Sequence, residues 1–152
     1  MHYSVPFEDV ASGAVVGTFK SLASVIAGAG KRAKIRAIRV GFGGEAADDI
    51  NMTLQLIRGT TDGTGSAVTP VQRDMLSAAA GCTAKKNYSV ECADLESLPV
   101  CEFGLNSRGT AFLEWGPQEA PVVNASKCIF LRATPGAATA RKMSGVIEFE
   151  EV

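Results

Sequence analysis

The sequence predicts an all-β protein, a single-domain antiparallel β-sandwich of about eight strands with one short helical turn. Three observations lead to this class. Apolar residues recur with a period of two along most of the chain, Gly- and Pro-rich breaks separate those runs at sandwich spacing, and one short segment alone has helical character. At 152 residues the chain is the size of one domain and can bury a core without metals or disulfides.

Taken in order, residues 1–12 (MHYSVPFEDVAS) carry Pro6 and little pattern, and are expected to form an N-terminal arm or an edge strand. Residues 13–152 are expected to form the sandwich. Strands are expected at 15–27, 34–42, 50–59, 87–93, 98–106, 110–115, 127–134 and 140–152. INMTLQLIRG is the clearest of these: Ile50, Met52, Leu54 and Leu56 share one side, and Asn51, Thr53 and Gln55 the other. In KIRAIRVGF, Lys34 and Arg36 share one parity, but Arg39 falls with Ile35, so a bulge near Ala37 would reconcile the two halves. The breakers are AGAG (27–30), Gly43-Gly44, GTTDGTGS (59–66) and the Gly-Pro and Pro-Gly pairs at 116–117 and 135–136. DMLSAAAG (74–81) is the helical candidate, with Asp74 as N-cap and Gly81 as stop.

LNSRGTAFLEW (105–115) reads as a hairpin: one strand ends with Cys101, Phe103 and Leu105, NSRG turns, and Thr110 to Trp115 returns. Ala111, Leu113 and Trp115 face one way; Thr110, Phe112 and Glu114 face the other. If the tryptophan side fills the core, Phe112 needs cover from a loop or from another subunit. Arg108, at the tip, is placed to grip a carboxylate or a carbonyl on a neighbour.

Composition narrows the function classes. Fifteen Lys and Arg against sixteen Asp and Glu give no net field for nucleic acid or an anionic membrane. The longest apolar run, 22–30, is interrupted by Ser24 and is short of the about 20 residues of a membrane span. The N-terminal segment lacks a signal-peptide pattern, so a cytoplasmic origin is expected. Cys82, Cys92, Cys101 and Cys128 form no CxxC pair; no metal is expected, and Cys101 and Cys128 read as small buried hydrophobes in reduced form.

His2 is the single histidine, which removes Ser-His and Cys-His pairs, and no enzymatic activity or cofactor is expected. GFGGEAADD lacks the GxGxxG spacing of a nucleotide loop. Asp48-Asp49 and Glu148, Glu150 and Glu151 could bind calcium, but read more simply as a solvated turn and an outward strand face. The sequons at Asn51, Asn87 and Asn124 carry no glycosylation meaning without export. A hydrolase pair of Glu114 and Glu102 would require those two strands to be neighbours. The basic face of Lys34 and Arg36 is explained by solvation, or by contact with an acidic protein surface.

The order of TFKSLASVIAG (18–28), KIRAIRVGFGG (34–44), INMTLQLIRGT (50–60), AVTPVQRD (67–74), NSRGTAFLEW (106–115) and GVIEFEEV (145–152) resembles the jelly-roll head decoration, or cement, proteins of tailed bacteriophages. The resemblance spans nearly the whole chain through short, mostly structural motifs. The long DMLSAAAGCTAKKN connection and the four cysteines depart from the pattern. The resemblance implies a two-sheet jelly roll that binds the outside of a phage head as a homo-oligomer, a dimer or trimer, and clamps adjacent major capsid subunits. It brings no catalytic residues. It also implies a virion location on the outer capsid surface, with assembly in the host bacterial cytoplasm. The candidate interface residues are Arg108, Phe112, Glu114, Lys34 and Arg36. The alternative is a head-fibre or tail-associated jelly roll that stacks host-surface carbohydrate on Trp115, Tyr88 or Tyr3.

Overall fold

A computed structural model describes residues 1–43 and 49–152. Among these the strands are β1 (His2–Ala11), β2 (Lys20–Ile26), β3 (Ala33–Phe42), β4 (Asn51–Gly59), β5 (Thr64–Val68), β6 (Val71–Gln72), β7 (Thr83–Val90), β8 (Cys101–Asn106), β9 (Ala111–Glu114), β10 (Val122–Val123), β11 (Cys128–Pro135) and β12 (Lys142–Glu151). They form two antiparallel sheets in a sandwich. The first runs β10-β3-β12-β1-β6, with β9 sharing the β10 edge of β3; the second runs β5-β7-β2-β11-β4-β8.

Period-two alternation puts one side of each sheet into a common core. Tyr3, Val5 and Phe7 from β1 and Ile147 and Phe149 from β12 meet Leu22 and Val25 from β2, Leu54 and Leu56 from β4, and Ile129 and Leu131 from β11. Residues 2–11 therefore contribute to the core. β1 pairs with β12 along its length, and β6 covers its other edge at Tyr3 and Ser4. The His2 carbonyl accepts the Arg73 N–H on that outer edge, and edge alternation puts Pro6 there too, where a missing N–H breaks no ladder bond. A bulge between Phe7 and Val10, with Asp9 at φ 50°, resets the alternation.

A smaller core lies on the other side of the second sheet. Ile57, Tyr88, Cys92, Cys128 and Phe130 are buried together, with Leu95 packed against them. The phenol of Tyr88 is bonded to Ser24 Oγ and donates to Asp62 Oδ1 at 2.7 Å, and Asp62 in turn pairs with Lys85. A buried hydroxyl is thus fully partnered, and burial raises the Tyr88 pKa. All four cysteines are free thiols; Cys82, Cys92 and Cys128 are buried and Cys101 is half-buried. Burial pushes the Cys82 and Cys128 thiols up to about 11, so both stay protonated near neutrality.

Several expectations are corrected. No helix forms among the described residues, so none is long and apolar enough to cross a membrane. At 74–81 Asp74 does cap a turn, its Oδ1 accepting Leu76 N–H at 3.0 Å, but the chain then extends because Tyr3 OH holds the Ala78 carbonyl at 2.9 Å. β2 starts at Lys20 rather than 15, and β7 at Thr83 rather than 87. β5 begins inside the GTTDGTGS tract. Residues 105–115 are not a hairpin: β8 pairs with β4 in the second sheet and β9 with β3 in the first. NSRG is a turn, closed by Gly109 N–H on the Asn106 carbonyl at 2.8 Å, but it carries the chain from one sheet to the other. Gly44 and Asp48 lie outside the described residues.

Glu151 fastens the 74–82 connection to the end of β12. Its carboxylate accepts the Cys82 N–H at 2.7 Å and pairs with Lys31 at 3.2 Å. Burial works to raise its pKa, but the Cys82 and Gly81 N–H groups and Lys31 outweigh this and hold it below the usual glutamate value. A depressed carboxyl stabilises the fold above its unfolded pKa of about 4.3 and loses that contribution as pH falls through the folded pKa. Glu151→Gln is therefore expected to cost about 1.5–3 kcal/mol at neutral pH. The gap from the parent protein should close below about pH 4. Urea titrations across pH measure this; a pH-independent gap would remove the electrostatic explanation.

Candidate interaction face

The outer face of the first sheet is organised by β3. Its bulge lies where expected: Phe149 is opposite Ile35 and Glu148 opposite Ala37, so Arg36 is the extra residue. Trp115 N–H bonds the Arg36 carbonyl at 2.9 Å. The shift returns Arg39 to the side of Lys34 and Arg36, making one basic stripe, while Ala37 and Ile38 are both buried. Nη1 of Arg36 is buried without a hydrogen-bond partner among the described residues.

On one side of this stripe stand Glu114, opposite Ala37, and Phe112, opposite Arg39. On the other side, Glu150 is opposite Lys34 and Val146 opposite Arg39. Glu148 pairs with Arg39 at 3.7 Å and with Arg73 at 2.6 Å. Four sequence-nominated residues, Lys34, Arg36, Phe112 and Glu114, thus share one face. Arg108 is exposed but sits on the turn between sheets, its N–H donating to Asn106 Oδ1 at 3.0 Å, with Asn106 tied in turn to Asp49 and Asn51. Sequence reading missed Arg39, Glu148 and Glu150 as members of this face; the outward parity of the two glutamates was its visible trace.

Phe112 is 55% exposed. Its ring is covered by the Arg39 guanidinium, 4.8 Å from the centroid, a cation–π contact that leaves the opposite side open. Beside it runs a shallow cleft of about 290 Å³ floored by Gly41 and walled by Thr110, Phe112 and Ser144. Ala111 and Trp115, by contrast, pack against the main core.

The same geometry separates the pairs that other chemistries need. Glu102 on β8 bonds Gln55 in the second sheet, while Glu114 belongs to the first, so the two are not neighbours. Tyr3 and Tyr88 are fully buried, which leaves neither tyrosine able to stack a sugar. Among the described residues no three His, Cys, Asp or Glu side chains converge on a metal-sized site. No protein-family model, curated protein or solved structure matches this chain.

A second exposed apolar feature lies at the far edge of the same sheet. After β6, Met75 and Leu76 stand at the tip of the Asp74 turn, 97% and 95% exposed. Arg73, bonded to Glu148 and to the His2 carbonyl, and the Tyr3–Ala78 bond brace the base of this tip.

Proposed function

We propose that the protein is a structural virion component, a jelly-roll decoration protein that binds the outer surface of a tailed-phage head and joins adjacent major capsid subunits. The observation that carries this reading is the near-complete exposure of two adjacent large apolar side chains, Met75 and Leu76, at the edge of the sheet that carries the half-exposed Phe112. Phe112 lies on β9, and Met75 and Leu76 lie beyond β6, four strand spacings or about 19 Å away. A part that holds neighbours together needs more than one contact surface, and modest contacts add when many copies bind. Single exposed apolar side chains are ordinary, but an adjacent pair as exposed as Met75 and Leu76 supports a contact site at this turn. The Met75–Leu76 tip is the capsid-facing element in this reading.

The test uses phage particles. Particles that lack the protein are expected to lose DNA at lower temperature or under milder ionic stress, and purified protein added back should restore them. Met75→Asp with Leu76→Asp should weaken rebinding at least about tenfold without loss of fold, since both side chains are solvent-exposed. Particles that are equally robust without the protein, or that rebind the variant unchanged, would refute the role.

A further inference from the structure

We infer that the outer face of the first sheet recognises the same face of a second copy, about a two-fold axis parallel to the strands and midway between β3 and β12. The charge pattern selects this arrangement. Over the rows they share, β3 presents Lys34, Arg36 and Arg39, all basic, and β12 presents Glu148 and Glu150, both acidic; Lys142, at the start of β12, lies beyond these rows beside Gly43. Two sheets packed face to face about such an axis lay the basic stripe of each copy over the acidic stripe of the other. An axis perpendicular to the strands would instead lay each stripe over its own kind, so that like charges oppose association.

Register makes the match specific, because a two-fold axis along the strands superposes residues of one row. Lys34 and Glu150 are opposite each other within the sheet, so Lys34 of one copy meets Glu150 of the other, twice. Glu148, in the row of Ala37, meets the Arg36 bulge. Arg39 lays its aliphatic stem on Val146. One strand further out, Phe112 shares its row with Pro6, and Glu114 shares its row with Ser4. The open side of the Phe112 ring thereby receives a proline, and the Glu114 carboxylate a hydroxyl. No row sets like charges together.

The overlap spans four strands, since β6 lies beyond it, and is about 19 Å wide and about 27 Å long from strand spacing and rise, on the order of 500 Å² per copy. Standard interfaces bury about 800 Å² per partner, so the dimer is weak and, being charge-matched, salt-sensitive. The inference stands on the charge pattern and holds whether or not the protein binds a capsid.

Charge exchange tests it. Lys34→Glu and Glu150→Lys, each made alone, place like charges in both central contacts and are expected to weaken self-association on the order of 100-fold. Mixing the two variants should restore a dimer, because a copy with two glutamates then faces a copy with two lysines. Within either single chain the like charges remain, so recovery on mixing reports a contact between chains. Light scattering after size exclusion reads the mass at low and high salt, and circular dichroism confirms folding of each variant. A monomeric parent at low salt, a dimer that survives both substitutions, or no recovery on mixing would overturn the proposal. Because no phage particle enters the experiment, its failure leaves the decoration role standing, and failure of particle rebinding leaves the dimer standing.

Discussion

Phe130→Ala is expected to destabilise the protein by about 3–5 kcal/mol, the range for emptying a buried phenylalanine site. Phe130 is fully buried on β11, in the smaller core outside the second sheet, where it meets Tyr88 edge-on with ring centroids 5.6 Å apart. The space it fills is kept by Gly59, whose missing side chain would lie 3.0 Å from Phe130 Cε2 and 2.7 Å from Cys92 Sγ. Collapse into the vacancy is resisted because Tyr88 is held by Ser24 and Asp62, and β11 is flanked by β2 and β4. For a chain of this size the loss corresponds to a fall in Tm of roughly 6–20 °C. Calorimetry and urea unfolding should agree on it with an unchanged m-value; a loss under about 1 kcal/mol would mean that the smaller core is a loose cover rather than a packed layer.

Gly145→Ala is expected to cost about 1–3 kcal/mol or more through overpacking, although it adds one methyl group. An added Cβ would lie 2.2 Å from the Arg39 carbonyl oxygen and 2.8 Å from Phe7 Cζ. The first contact is backbone, so no side-chain rotation relieves it; β12 and β3 must separate where Gly145 is opposite Val40. Arg39 lies next to that point and carries the cover of Phe112, so the same substitution should weaken self-association as well as lower Tm. Lowered stability with an unchanged dimer would disconnect the glycine from the face.

These two positions mark what pattern reading finds and misses. Phe130 is legible: KCIFLRAT alternates, and Cys128 and Phe130 fall together. That both sides of β11 are buried is not legible, because Leu131 and Phe130 look alike in sequence and only the segment carrying Cys92 and Leu95 decides that the second side is covered. In β1 the alternation of Tyr3, Val5 and Phe7 was present, but Pro6 and the Asp9 bulge interrupt it, and an interrupted period reads as none. β6 and β10 are two residues long, too short for a period, and exist through their partners. At 74–81 Asp74 closes a turn but caps no helix: one turn gains little by itself, and the Tyr3–Ala78 and Cys82–Glu151 bonds outweigh its propagation.

By itself the sequence determined the all-β class, the strands β3, β4, β11 and β12, the bulge in β3, the outward parity of Lys34 and Arg36, and the shared side of Phe112 and Glu114 opposite Trp115. These follow from local rules, because a strand alternates its side chains whatever its neighbours are. Tertiary structure alone decided which strands pair. A turn such as NSRG fits equally between two strands of one sheet and between two sheets, and the choice depends on which partner buries more apolar surface far away in the chain. That choice turned 105–115 from a hairpin into a crossover, took Glu102 away from Glu114, and set the basic residues of β3 beside the acidic residues of β12, a juxtaposition separated by more than a hundred residues in sequence.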